Sequence, residues 1–272
     1  MKVSVLLACR DGEATLPETL QSLLAQTIPI EIIVTDDHSI DSTPQIIEKY
    51  GVQSVKYPTR EPKNYSRVPH LFSLAYMKAP PSDYYMISGD DQIYPKNYVE
   101  SVIAHMIKDG AQIGSGHNHH LPYLKTQAPT GSGRIISSKL MKEFMPLIGS
   151  TTWDSWILIR AKQLGCKFKA YPIPKIHMKE RRIRLNWGFG SHISGTPIIF
   201  TLMRVPRQII RTKRILFPLS ILVGQIVYKL KRVPKLDYAE YNNHLKRWQI
   251  TRTIRGGGAR LLARIGLLEL KK

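Results

Sequence analysis

Apolar runs of strand length alternate with amphipathic segments along the first 110 residues, and this alternation limits the fold more than any other feature. Val3 to Ala8, Ile30 to Val34 and Tyr84 to Ile87 are apolar runs with the length of buried strands. Between the first two, Glu13 to Gln26 places its leucines on one helical face. Strands and helices that alternate in this way form a mainly parallel sheet flanked by helices. We therefore predict an α/β fold.

Each of these three predicted strands ends in acidic residues. Arg10-Asp11 follow the first strand, Asp36-Asp37 follow the second, and Asp90-Asp91 follow the third. Open α/β sheets bind their ligands at the carboxyl ends of the strands. Two adjacent carboxylates repel each other, so Asp90 and Asp91 indicate a cation, and Mg²⁺ or Mn²⁺ beside a substrate phosphate suits oxygen ligands. The alternative for this pair is a solvated turn that caps the next helix.

The chain from Val3 to about His177 resembles the family-2 glycosyltransferases, which have the GT-A nucleotide-sugar-binding fold. The resemblance is carried by three stretches together, namely Val3 to Glu13, Leu20 to Thr27 and Glu31 to Thr43. Their combination is far more specific than any single motif. It implies a GT-A-like catalytic domain over residues 1–195, with a nucleotide-sugar half at 1–110 and an acceptor half at 111–195.

The resemblance also implies roles for individual residues in binding the donor. Ala8, Arg10 and Asp11 would line the nucleobase pocket, and Asp37 would bind the base. Asp90 and Asp91 occupy the metal-binding acidic motif of the family, one reaching the ribose and the other the divalent cation. Ser88 stands where the family often has an acid, which leaves open which aspartate contacts the metal.

His177 and the basic segment after it are further candidates for the donor site. Related enzymes often place a histidine at the position of His177, so the resemblance implies a third metal ligand there; the alternative is an ordinary loop histidine. Arg181, Arg182 and Arg184 follow closely. Their guanidinium groups suit bidentate bonds to a departing diphosphate, and we take Arg181 as a donor-binding candidate. A solvated or lipid-facing basic run is the alternative.

Asp154 lies in the first turn of a predicted amphipathic helix that ends at Gly165. A carboxylate at this position is favoured by the helix dipole, which explains it without any catalytic role. The resemblance implies such a role, because the family places an acidic residue before a helix of this kind as the general base. It also implies inversion: Asp154 takes the proton of an acceptor hydroxyl as that oxygen attacks the anomeric carbon from the face opposite the diphosphate.

Three histidines, His117, His119 and His120, follow the predicted strand from Ala111 to Gly116. Three imidazoles in four residues raise the possibility of a metal cluster. Successive strand residues point to opposite faces, however, so the three rings do not converge easily. We therefore expect exposed loop histidines.

The positive charge is concentrated in the last quarter of the chain. The net charge is +20, and residues 204–272 hold 17 Lys and Arg against three acids, a net of +14. Apolar clusters accompany these cations, but the run from Ile215 to Tyr228 has 14 residues, whereas a membrane-spanning helix needs about 20. We expect a basic amphipathic helical extension over 196–272 that lies on an anionic membrane surface. Helices that pack on the catalytic core are the alternative.

Two cysteines without metal-ligand spacing and a start without a visible secretory signal indicate a reducing compartment. Together with the basic extension, this predicts a cytoplasmic enzyme peripherally associated with the membrane. Its partners would be a nucleoside-diphosphate sugar and an acceptor hydroxyl, lipid-linked or on a polysaccharide.

Two other functions fit parts of the sequence less well. A sugar-phosphate nucleotidyltransferase would carry a glycine-rich loop after the first strand, whereas Cys9 to Glu13 contains one glycine. The second of these functions is that of a basic membrane-binding or nucleic-acid-binding protein without enzymatic activity. Nucleic acid is disfavoured as a partner because the cations accompany apolar surface and no nucleic-acid module is recognised.

Overall fold

The computed structural model describes residues 1–60, 67–120, 123, 128–147, 153–178, 188, 191–192, 195–212 and 215–233. The chain packs as two compact units, Met1–Glu180 and Arg181–Lys272. The first unit ends at Glu180, fifteen residues before the predicted domain boundary at 195. The division of the chain into a catalytic domain and an extension stays a prediction.

The first unit consists of eight strands and six helices among its described residues. In chain order they are β1 (Val3–Cys9), α1 (Leu16–Leu24), β2 (Glu31–Asp36), α2 (Thr43–Lys49), β3 (Gln53–Lys56), α3 (Val68–Lys78), β4 (Tyr84–Gly89), β5 (Gln92–Ile93), α4 (Tyr98–Asp109), β6 (Ile113–Asn118), β7 (Arg134–Ser137), α5 (Ser138–Phe144), α6 (Trp153–Gln163) and β8 (Phe168–His177). Proline occupies the first turn of α1, α2 and α3, where its missing N–H leaves no intrahelical bond unmade.

The strands form one sheet in the order β3-β2-β1-β4-β7-β6-β8-β5. β1 runs parallel to β2 and β4, β2 runs parallel to β3, and β6 runs parallel to β8. β7 is antiparallel to both β4 and β6, and β5 is antiparallel to β8. The predicted mainly parallel α/β sheet is therefore confirmed, with an antiparallel strand inserted at its centre.

Helices cover both faces of the sheet, and each face has its own hydrophobic core. Val5 and Leu7 of β1 pack with α1 and α4 on one face, in a cluster that includes Leu20 and Tyr98. Leu6 points to the other face, into a cluster with residues of α3, α5 and α6. Because both faces of β1 are buried, its sequence is a continuous apolar run.

The strands that follow β4 differ from the sequence prediction. β5 and β7 were not predicted, and residues 168–178, predicted as two strands, form the single strand β8. The continuous strand is accommodated by a register shift in its neighbour β6 between Ser115 and His117. At that shift a side chain on Gly116 would collide with the Ile173 carbonyl oxygen, so the two strands approach closely because this residue is glycine.

The second unit contains helices α7 (Ile198–Thr212) and α8 (Leu216–Leu230). Within it, Gln225 Nε2 donates to the Thr196 carbonyl at 2.6 Å, and a ring nitrogen of His192 lies 2.7 Å from the Val233 carbonyl oxygen. Both helices match apolar segments of the sequence. Among the described residues, no helix combines the length and the apolar character needed to cross a bilayer. The predicted extension beyond 233 lies outside the described residues.

Candidate active site

The carboxyl ends of β1, β2 and β4 lie side by side, as the sequence predicted. In the sheet register Ala8 pairs with Thr35 on one side and with Gly89 on the other. The loop after β1 touches the acids after β4, because an added Cβ at Gly12 would lie 2.8 Å from Asp90 Oδ2. Ala8, the loop after β1 and Asp90 therefore share one edge of the sheet.

Two acids at this edge are paired with arginines. Arg60 forms two hydrogen bonds with the Asp11 carboxylate, at 3.1 and 3.0 Å. Asp37 lies between two other arginines and accepts bonds from Arg10 Nη1 at 3.1 Å and from Arg67 Nη2 at 2.6 Å. The charges of Asp11 and Asp37 are thus balanced by guanidinium groups of the protein.

Arg67 and Asp36 show how this part of the edge is built. Arg67, at the start of α3, lies 4.3 Å over the centre of the Tyr57 ring. Asp36 is buried and accepts a 3.0 Å bond from the Ser39 backbone, so it fixes the turn after β2. The sequence did not predict the arginine partners, because Arg60 and Arg67 are distant along the chain and lie outside the recognised motifs.

Asp91 and His177 meet although 86 positions separate them in the sequence. The pairing of β5 with β8 places His177 opposite Gln92, the residue after Asp91. The Asp91 Oδ2 to His177 Nε2 distance is 3.7 Å, and the Met178 backbone donates to the Asp91 carbonyl at 2.9 Å. Two of the predicted metal ligands are therefore brought together.

The chemistry of these groups can be compared with the needs of a divalent cation. Among the described residues, no three His, Cys, Asp or Glu side chains form a group able to hold a metal ion. Asp91 and His177 provide one carboxylate and one imidazole. Asp90, the residue before Asp91, provides a second carboxylate in the sequence. Mg²⁺ and Mn²⁺ sites commonly use one or two carboxylates and are completed by water and substrate phosphates. The residues present fit such a partial site.

Ser88, which the family resemblance places where an acid is often found, is hydrogen-bonded inside the core. It is fully buried, and its hydroxyl lies 2.9 Å from the Tyr94 hydroxyl. Burial raises the pKa of Tyr94, so the pair is a neutral hydrogen bond inside the core. The acidic motif of this chain therefore consists of Asp90 and Asp91.

Asp154 lies in the first turn of α6, as predicted. Its Oδ1 accepts a 2.8 Å bond from the Ser155 backbone, and its Oδ2 would lie 3.7 Å from an added Cβ at Gly131. Ser132, the residue after Gly131, accepts a 3.0 Å bond through its hydroxyl from the Gly89 backbone at the end of β4. The loop of residues 128–133 thus connects Asp154 to the strand end that carries Asp90.

The remaining candidates are placed as follows. Arg181 lies outside the described residues. The three histidines do not gather. The exposed-loop prediction is wrong for His117, which lies in β6 and packs on Tyr123 with ring centres 5.6 Å apart. His119 packs on His120. The exposed-loop interpretation of His119 and His120 agrees with the structure.

A mainly parallel sheet with an acidic carboxyl edge, interrupted by one antiparallel strand, is the architecture of the GT-A fold. The sequence agrees, because the model of the family described as "Glycosyl transferase family 2" matches residues 4–161, more than half of the chain. The chain belongs to glycosyl transferase family 2. The family resemblance and the predicted fold are both confirmed. No curated protein sequence matches the chain.

Solved structures support the fold at low sequence identity. The mannosyltransferase PcManGT from Pyrobaculum calidifontis, in complex with GDP-Man and Mn²⁺, is 16% identical; the match covers 99% of this chain and 81% of that one, with a TM-score of 0.58. Glucosyl-3-phosphoglycerate synthase from Mycobacterium tuberculosis, with Mn²⁺, UDP and phosphoglyceric acid, is 17% identical over 72% and 76%, with a TM-score of 0.56. S. aureus TarS is 18% identical over 73% of this chain but 40% of that one, with a TM-score of 0.54.

Proposed function

We propose that this protein is an inverting glycosyltransferase that moves a sugar from a nucleoside diphosphate to an acceptor hydroxyl. The observation that carries the proposal is the position of Asp90 and Asp91, between the loop after β1 and His177 of β8. Similar structures were solved with nucleotide sugars, namely PcManGT with GDP-Man and Mn²⁺ and S. aureus TarS with UDP-GlcNAc. Family membership favours sugar transfer over nucleotidyl transfer.

The donor would bind across the ends of β1, β2 and β4. In the proposed arrangement Asp37 contacts the base, Ala8, Arg10 and Asp11 border the base pocket, and Asp90 reaches the ribose. Asp91 and His177 would hold the divalent cation. A bound Mg²⁺ or Mn²⁺ would neutralise the charge that develops on the leaving diphosphate. Arg181 is proposed as a further partner of that diphosphate.

The acceptor would approach from the side of α6. The acceptor oxygen forms a bond to the anomeric carbon while the bond from that carbon to the diphosphate oxygen breaks. The hydroxyl proton passes to the Asp154 carboxylate, and the electron pair leaves with the diphosphate. Attack from the face opposite the leaving group inverts the configuration. The link from Asp154 through the 128–133 loop to Gly89 supports this placement.

We propose that the enzyme acts at the cytoplasmic face of an anionic membrane, and two features of the second unit support this location. Five apolar residues of α8 are exposed at alternating spacings of three and four, which puts them on one face of the helix: Leu216, Leu219, Val223, Ile226 and Leu230. Residues 204–272 carry a net charge of +14. Apolar side chains beside cations suit the boundary between head groups and acyl chains. A lipid-linked or polysaccharide acceptor would be within reach there.

Thermal shift measurements with nucleoside diphosphates and nucleotide sugars test the donor proposal. Unfolding of the protein is followed with UDP, GDP, UDP-GlcNAc and GDP-Man, each with and without Mn²⁺. We expect one base to raise the midpoint and Mn²⁺ to increase that effect, because binding to the native state alone stabilises it. Stabilisation by none of the panel contradicts the proposal. Turnover by Asp154→Asn at the wild-type rate would remove the proposed role of Asp154.

A further inference from the structure

Lys175 is a buried lysine in the strand that carries His177. It is 2% exposed, and its ammonium donates to Gln92 Oε1 at 2.5 Å and to Asn118 Oδ1 at 3.0 Å. A buried charge is expensive unless it is hydrogen-bonded. These two amide oxygens meet that need, and one of them belongs to the residue next to Asp91.

Gln92 connects this ammonium to the Asp91 carboxylate. Its Nε2 donates to Asp91 Oδ1 at 2.9 Å, while its Oε1 accepts from Lys175. An ammonium group has donors only and an ionised carboxylate has acceptors only. Rotation of the amide by 180° would place both pairs in conflict, so Lys175 determines which end of Gln92 faces Asp91. Gln92 itself is 1% exposed, which leaves its side chain little freedom.

The result is a defined orientation of the Asp91 carboxylate. Oδ1 is engaged by Gln92, while Oδ2 lies 3.7 Å from His177 Nε2. Lys175 and His177 are two positions apart on β8, so their side chains leave the same face of the strand. β8 thus holds one oxygen of Asp91 in place, through Lys175 and Gln92, and supplies the imidazole that faces the other oxygen.

We propose that Lys175 and Gln92 are positioning residues that present Asp91 Oδ2, together with His177, to the divalent cation. The inference rests on the proposed function, because it assigns a purpose to the same cation. Partners that orient metal ligands typically contribute 10- to 100-fold, as an order of magnitude, to metal affinity. A lysine whose role was confined to the core would affect folding without a separate effect on the metal.

Titration with Mn²⁺, followed by electron paramagnetic resonance of the free ion, separates these roles. The proteins are the wild type, Lys175→Met, Gln92→Leu and the double variant, each with UDP or GDP present and absent. Lys169→Met is the matched control, since Lys169 lies on the same strand but pairs with Asp109 at the surface. Urea unfolding of each protein gives its stability.

We expect Lys175→Met and Gln92→Leu each to raise the Kd for Mn²⁺ by about tenfold or more, and Lys169→Met to leave it unchanged. The double variant should bind Mn²⁺ no more weakly than the single variants, because both act through one path. It should also recover stability relative to Gln92→Leu, since the buried ammonium and its main acceptor are removed together. If a single variant does not fold, the Mn²⁺ affinity of the double variant is measured instead.

Wild-type Mn²⁺ affinity in the folded double variant would overturn the proposal. If the wild type binds Mn²⁺ with a nucleoside diphosphate and the variants do so equally well, Lys175 and Gln92 do not position Asp91. The proposed function then stands. If the wild type binds neither Mn²⁺ nor any nucleoside diphosphate, the proposed function fails, and the assignment of Lys175 and Gln92 fails with it.

Discussion

The Arg134 guanidinium donates a 2.7 Å hydrogen bond to the backbone carbonyl of Asp154, and this bond joins the central antiparallel strand to the start of α6. The same group donates to the carbonyls of Pro129 and Thr130 at 3.1 Å each. Arg134 is 1% exposed, and burial lowers its pKa to about 10, although the charge of Asp154 acts in the opposite direction. The proposed base and the loop beside it are therefore held by one buried cation.

Replacement of Arg134 by methionine tests this connection. The change leaves three carbonyls without their donor, and we expect the free energy of unfolding to fall by about 3 kcal/mol. Urea unfolding measures the loss. Arg160→Met, on the same helix as Asp154, is the control and should change the free energy of unfolding by less than about 0.5 kcal/mol. Equal effects of the two substitutions would show that the Arg134 bonds add little.

Asp37 and Arg67 should differ in their importance for stability. Their side chains are 8% and 7% exposed, and Asp37 also bonds to Arg10. Asp37→Ala removes the carboxylate shared by the buried Arg67 and the partly buried Arg10, so we expect it to cost about 3 kcal/mol. Arg67→Met leaves Asp37 paired with Arg10 and should cost about 1 kcal/mol. Chemical denaturation of both variants measures the order, and the reverse order would refute this account of the triad.

Gly12 allows the loop after β1 to approach Asp90. A Cβ there would lie 2.5 Å from Cys9 Sγ and 2.8 Å from Asp90 Oδ2, so Gly12→Ala must displace one or both groups. We expect a loss of about 1 to 3 kcal/mol in stability and weaker binding of the nucleoside diphosphate. Adding Cys9→Ala removes the sulfur contact. The double variant should regain stability without regaining nucleotide affinity; recovery of both would mean that Asp90 is not displaced.

The parallel part of the sheet was predictable because its local signals agree. β1, β2 and β4 are apolar runs with turn residues or acids at their ends, and the helices between them have one apolar face. β7 was missed because it has four residues and begins with an arginine that is buried only by tertiary contacts. β5 has two residues, too few for any periodicity.

The acids of the site were predictable, but their partners were not. Asp90 and Asp91 form a recognisable motif at a strand end. Lys175 resembles a surface lysine in a strand interrupted by prolines, and its burial depends on Gln92, which is 83 positions away. The pairing of Arg67 with Asp37 likewise spans 30 positions. Such contacts depend on the order of strands in the sheet, which local patterns do not encode.

The exposed apolar face of α8 should determine binding to membranes. Leu216 and Val223 are 64% and 48% exposed, and we expect Leu216→Glu with Val223→Glu to reduce cosedimentation with anionic liposomes. Each substitution removes an apolar side chain worth about 1.5 kcal/mol or more on burial, which corresponds to roughly tenfold in partitioning. Ile107→Glu, a similar change at a 65% exposed position in α4, is the control. Equal sedimentation of the control and the double variant would show that the apolar face of α8 does not bind the membrane. If the protein shifts RNA and does not sediment with liposomes, the second unit binds a different partner.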